Sequence, residues 1–171
     1  STPVTQAMWV DLMKENPSQF ASGENAITVF VHRREITVLP DHPVENVSWY
    51  SAAEYANRLS SKRGFDPVYD FSNVKFKLGT SAENGTLDLD EKSGEIKINA
   101  PNGDIYLANG YRLPTEAEAE YMQRAGGKSN GDFHFDGSGE LLSDYGWYSK
   151  RRTYPVGELK PTIVDGNKFY D

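Results

Sequence analysis

The residues best suited to chemistry lie in the last third of the chain. "DFHFDGSGE" sets Asp132, His134 and Asp136 at alternating positions. On a strand they would share one face and offer the oxygen and imidazole donors that a divalent ion takes. Phe133 and Phe135 alternate with them, and the other two histidines, His32 and His42, sit in other segments. A surface strand with an aromatic opposite face is therefore the preferred reading, and no metal site is expected. "DLDEKSGE" offers Asp88 and Asp90 to calcium, but it lacks the glycine at the sixth loop position and the bidentate glutamate at the twelfth that an EF-hand needs. It reads as a hairpin turn with solvated acids, so no cofactor is expected. Lys150-Arg151-Arg152-Thr153 has the charge to grip an anion, and as a solvated turn it needs no partner. Around it stand Trp147, Tyr148 and Tyr154, amphipathic rings of the kind that make efficient contact surfaces.

Other chemistries are excluded from these residues or carry no signature. The 171 residues contain no cysteine, which removes thiol catalysis, cysteine-ligated zinc and disulfides. No Ser-His-Asp arrangement is legible from spacing, and no glycine-rich phosphate loop follows a strand. The formal charge of −7 leaves no basic stripe to neutralise a phosphate backbone, so nucleic acid is not an expected partner. No run approaches the ~18 apolar residues of a membrane span, and Ser1 opens without the basic and apolar regions of a signal peptide. Hydrophobic residues make up only 37% while aromatics reach 12%, a balance that predicts a folded chain with much loop and polar surface.

The elements that must hold these loops can be read from periodicity. Thr5 precedes "QAMWVDLMKE", where Met8 or Trp9, Leu12 and Met13 form one apolar stripe of a helix closed by Asn16-Pro17. "AITVFVHRREITVL" alternates at Ile27, Val29 and Val31, turns through His32 to Glu35, and alternates again at Ile36 and Val38, predicting a hairpin. Ser48 is the expected N-cap of a second helix with Trp49, Ala52, Ala53, Ala56 and Leu59 on one face and Gly64 at its end. Residues 74 to 108 read as a meander of short strands, with Val74, Phe76, Leu78, Leu87, Leu89, Ile96, Ile98, Ile105 and Leu107 broken by "ENG", "EKSG" and "PNGD". Thr115 followed by Glu118 is a capping box that opens a helix of about ten residues ending at Gly126-Gly127. Beyond it, glycine, aspartate and aromatic residues predict irregular structure ordered by buried rings. These readings give one α+β domain over 1–171 with few helices and long loops.

Read together, "VTQAMWVDLMKENPSQF", "HPVENVSWYSAAEYANRLS", "GYRLPTEAEAEYMQRAGG", "YGWYS" and "RTYPVGELKP" resemble, in order, the successive motifs of the formylglycine-generating-enzyme (sulfatase-modifying-factor) family. The resemblance covers residues 4 to 20, 42 to 69, 109 to 127 and 145 to 161. It implies the C-type lectin-like fold of that family, with short twisted antiparallel strands and long ordered loops. Against the family pattern, residues 21 to 41 and 70 to 108 look like insertions, which belong on surfaces. Ala119 stands where the family usually has tryptophan, and a repacked neighbourhood is expected there.

The same resemblance implies that catalytic cysteines lie beyond a strand whose threshold is reached at Asp171. Family enzymes use a cysteine pair to bind copper and oxidise a substrate cysteine with dioxygen, which a chain without cysteine cannot do. A complementary C-terminal fragment or second chain is expected to complete the sheet. The family also has members without catalysis, including the variable proteins of diversity-generating retroelements, in which the fold displays loops to a ligand. A binding or display module for protein or another exposed ligand is therefore expected, with Trp147, Tyr148, Arg151, Arg152 and Tyr154 as contact residues. Two alternatives stand beside it: an oxidase whose catalytic residues lie in a further C-terminal part, and a structural component of a bacterial envelope complex. The family's habit in bacteria places such a domain outside the cytoplasm.

Overall fold

The computed structural model describes residues 2–123, 142–164 and 167–169. The chain separates into two compact units. The larger comprises Gln6–Leu39 and Val44–Leu113; the smaller comprises Ser1–Thr5, Pro40–Pro43 and Pro114–Asp171.

The larger unit opens with α1, Gln6–Met13. Its buried face is Gln6, Trp9, Val10 and Met13, whereas Met8 is exposed and Leu12 half-buried, so the apolar stripe is rotated from the expected one. The helix also stops before Asn16-Pro17, because Lys14 takes a left-handed φ of 71°. Met13 is fully buried, which stabilises the fold by about 2 kcal/mol. Gln6 is buried too, and both ends of its amide are used: Nε2 donates to Phe20 O at 2.9 Å, and Oε1 accepts from Leu39 N at 3.0 Å and Asn16 Nδ2 at 3.1 Å. A buried amide tolerates its burial only when paired in this way.

The predicted hairpin follows as β1, Ile27–Val31, and β2, Arg34–Val38. Its antiparallel register pairs Ile27 with Val38 and Val29 with Ile36, which puts the alternating apolar set on one face. Phe30, opposite Glu35, lies on the other face and is exposed.

Helix α2 spans Trp49–Lys62, capped by Ser48 Oγ, which accepts from Ser51 N at 3.1 Å. At its far end Gly64, φ 79°, closes a Schellman motif: Gly64 N donates to Ser61 O and Phe65 N to Ser60 O. The buried face differs from the expected one, because Trp49 is half-exposed while Ser51, Ala53, Tyr55, Ala56, Asn57 and Ser60 are buried. Trp9 of α1 stacks on Tyr55 at 5.1 Å and 4° between planes, and its Nε1 donates to Glu83 O. The small Ala53 and Ala56 admit Val68 and Tyr69, and these four form a core cluster against which Phe71, Ile96, Ile98 and Ala108 pack.

The expected meander is mostly turns. Among the described residues its regular pairing is one short ladder, in which β4 Lys97–Ile98 pairs with β3 Tyr69–Asp70 ahead of it, and one isolated bridge, Phe76 to Leu89. Ile105 and Leu107, read as strand, belong to a 3₁₀ turn. The cause is local competition for backbone donors. Asp70, Asn84, Asp90 and Asp104 each accept from the backbone N–H two residues on, and an N–H turned to a side-chain oxygen is not available to a ladder. β3 finds a substitute partner instead: Asn57 Nδ2 donates to Tyr69 O at 2.7 Å and Tyr69 N donates to Asn57 Oδ1 at 2.9 Å.

"GYRL" is laid against this core. Tyr111 N donates to Ser60 Oγ and Leu113 N to Tyr69 Oη. A Cβ at Gly110 would sit 2.1 Å from Asp66 O, so only glycine fits.

In the smaller unit, α3 spans Glu116–Gln123 behind the expected reciprocal box: Thr115 N donates to Glu118 Oε2 at 2.9 Å and Glu118 N to Thr115 Oγ1 at 3.3 Å. Ala119 is half-buried. β5, Thr162–Val164, pairs antiparallel with β6, Asn167–Phe169. The predicted stop at Gly126-Gly127 lies outside the described residues.

Candidate functional site

The loop from Tyr145 to Pro161 has almost no regular structure, and its shape is fixed by contacts within the smaller unit. Tyr145 is buried. Trp147 and Tyr154 stack face to face with ring centroids 3.8 Å apart and planes 9° from parallel, which closes the loop upon itself. Val156 N donates to Asp41 O at 2.7 Å, and Lys160 N to Asp144 O at 2.9 Å. Left-handed backbone at Ser149 and Gly157 makes the reversals that the stack requires.

The five expected contact residues therefore divide in two. The structure brings together Trp147, Arg152 and Tyr154, since the Arg152 guanidinium lies over the Tyr154 ring, 4.7 Å from its centroid. Tyr148 and Arg151 point away from this stack into solvent: Tyr148 is 52% exposed, and among the described residues Arg151 forms no ion pair. The arrangement offers two exposed rings, Trp147 and Tyr148, the first of them stacked on Tyr154, and an Arg151-Arg152 cation edge. It can hold an aromatic or anionic surface.

His42 was not among the expected site residues, yet its Nδ1 lies 2.8 Å from Thr153 Oγ1. Burial pushes the imidazole below the ordinary histidine value of 6.5; the Glu158 and Asp41 carboxylates oppose that shift and the Arg152 cation adds to it. Nothing in a separation of 111 residues announces this contact in the sequence.

The acids weighed for metal binding have other occupations. Asp88 Oδ1 accepts from Leu89 N and Oδ2 pairs with Lys77 Nζ, while Asp90 Oδ1 accepts from Lys92 N, which closes the turn as expected. Among the described residues no group of three or more His, Asp and Glu could hold a metal ion. Asp132, His134 and Asp136 lie outside the described residues. Among the described residues no helix is long and apolar enough to cross a membrane.

Fold and loop together define a C-type lectin-like domain of the formylglycine-generating-enzyme type. The chain belongs to the sulfatase-modifying factor enzyme 1-like domain family, whose profile matches residues 1–168. It is 33% identical to the chaperone protein LppX of Paenibacillus barcinonensis over 92% of this chain and 52% of that protein. Among solved structures it resembles Treponema denticola variable protein 1, with a TM-score of 0.57 and 28% identity over 93% of this chain and 53% of the other. It also resembles CarF, with a TM-score of 0.51 and 25% identity over 94% of this chain and 59% of the other. The chain thus spans about half the length of these relatives.

Proposed function

We propose that these residues form a protein-binding or display module without catalysis of its own, whose contact surface is the loop 147–154. The observation that carries the reading is the combination of the closed Trp147–Tyr154 stack with exposed Tyr148 beside Arg151 and Arg152. A loop already held rigid loses little entropy on binding, and tyrosine and arginine dominate protein interfaces. Two relatives point the same way in name, one a chaperone protein and one a variable protein. The absence of cysteine from the 171 residues supports a role other than copper-dependent thiol oxidation for this part of the protein. Both named source organisms are bacteria, and a place in the bacterial envelope is part of the same proposal.

The test uses a chemically denatured, carboxymethylated client protein and measures binding by fluorescence anisotropy. Tyr148→Ala should weaken binding about tenfold, as loss of an interface hot spot does, and leave the melting temperature unchanged. A variant that unfolds the chain instead would make Tyr148 a structural ring and sink the contact reading.

A further inference from the structure

A second site lies in the larger unit, away from that loop in sequence. The end of α1, the turn of the β1–β2 hairpin and α2 surround a cleft of about 450 Å³. Its cationic lining comes from Lys14, Arg34 and Arg58, with His32 beside them. Val31 supplies an apolar wall, with the fully buried Met13 behind it.

The backbone around this cleft is held in conformations that its residues disfavour. Lys14, His32 and Arg33 all have positive φ, at 71°, 48° and 67°, with no glycine among them. The two-residue turn at 32–33 is the kind that asparagine-glycine makes without strain. Strain of this sort, at two separate segments lining one cavity, is characteristic of binding sites.

The donors in the cleft are under-used. Arg58 donates through Nε to Glu54 and through Nη2 to Glu83, while among the described residues its Nη1 has no partner. Arg34 makes one long contact, Nη1 to Glu15 at 3.4 Å, and Lys14 Nζ donates only to Asp11 O. His32 makes no hydrogen bond among the described residues. Beside the three cations the cleft is lined by Glu15 and Glu83, and Glu54 pairs with Arg58 from outside the lining. Burial pushes the Glu83 carboxyl up, but the hydrogen bond and charge of Arg58, together with hydrogen bonds from the backbone and Ser81, hold the group below the usual carboxylate range.

We propose that this cleft binds a monocarboxylate with a short apolar body, whose oxygens take the donors that Arg34, Arg58 and Lys14 leave unused. A guanidinium fork fits a carboxylate. The Glu15 and Glu83 carboxylates in the lining repel a phosphate dianion more strongly than a monoanion. The carboxylate comes either as a free small acid or as the C-terminus of a polypeptide.

Isothermal titration of the whole chain with 4-methylvalerate should show saturable binding with Kd on the order of 1 mM. The neutral 4-methylvaleramide should not bind, and inorganic phosphate should bind more weakly. In a second arm, Gly-Gly-Leu with a free carboxylate binding tenfold more tightly than 4-methylvalerate identifies a polypeptide terminus, and equal or weaker binding identifies a free acid. Arg34→Met, at an exposed position, should weaken the acid about tenfold without changing the melting temperature. His32→Asn combined with Arg33→Gly relaxes the turn, so it should raise the melting temperature while weakening the acid. Equal binding of acid and amide, tighter binding of phosphate, or wild-type affinity in either variant would overturn the proposal.

Discussion

His42 Nδ1 and Thr153 Oγ1 meet at 2.8 Å across 111 residues of chain. The neighbouring Asp41 carbonyl accepts from Val156 N, so two adjacent residues grip the loop on either side of Tyr154. Tyr154 in turn holds Trp147 in the stack. His42 is thus one of the contacts that shape the proposed surface, and burial disfavours protonation of its imidazole.

That dependence gives a pH effect with a definite sign. Because burial lowers the His42 value, the unfolded chain takes up the proton first as pH falls through 6.5. The stability contributed by neutral His42 is fully present at pH 8 and is lost progressively below 6.5, until the folded state also protonates. Thermal melts at half-unit steps from pH 8 to 5 should show the wild type losing more than His42→Asn, which keeps a partner for Thr153 but cannot titrate. Parallel curves would assign the acid sensitivity to other groups.

The loop and its anchor also show what sequence conveys and what it does not. The capping box at Thr115, the N-cap at Ser48 and the existence of the hairpin were legible because each rests on residues a few positions apart, whereas its turn is the two residues 32–33 and not the expected His32 to Glu35. The rotation of α1 was not. Met8 and Trp9 fit the same periodicity, and only the tertiary neighbours Tyr55 and Glu83 select Trp9 for burial. The meander failed for a different reason: alternation at Ile105 and Leu107 was real, but Asp104 turned the Tyr106 N–H to itself. Trp147, Tyr148 and Tyr154 could be proposed from residue type, whereas the stack and His42 depend on long-range folding.

Asn57 should prove one of the most sensitive positions in the larger unit. Its amide makes both hydrogen bonds of a missing strand to Tyr69, at 2.7 and 2.9 Å, and it is buried. Asn57→Leu keeps the size but leaves the Tyr69 N–H and C=O unpaired, at a cost of about 3 kcal/mol. Urea titration should show a lower midpoint with an unchanged slope. A loss below about 1 kcal/mol would mean that water reaches β3 and replaces the amide.

Gly110→Ala should be more damaging than any surface change in "GYRLP". The added methyl would lie 2.1 Å from Asp66 O and 2.7 Å from Ser60 Oγ, and the first of these is backbone that cannot swing aside. Moving it also breaks the hydrogen bond from Tyr111 N to Ser60 Oγ. We expect a loss of about 3 kcal/mol or more, within the range for overpacked sites. Circular dichroism melts should separate this variant clearly from Gly79→Ala, where φ is also positive but nothing lies within 4 Å of the added methyl.

The three glutamates of α3 should respond unequally to substitution. Glu118 is bonded to Thr115 on both its carboxylate and its backbone N–H, while Glu116 is exposed in the first turn and Glu120 is exposed further along. Thr115→Ala removes the acceptor for Glu118 N and should cost about 1 kcal/mol, or a shift of roughly 2 to 4 °C in melting temperature. Glu118→Gln should cost less, because the amide oxygen still accepts from Thr115 N while the charge that favours the helix N-terminus is lost. Glu116→Gln should cost only a few tenths of a kcal/mol, since its contribution is the dipole alone. Amide exchange across residues 116 to 123 gives a local check: protection should fall in Thr115→Ala and persist in Glu116→Gln. If Glu116→Gln proves the more harmful, the first turn is held by charge and not by the box.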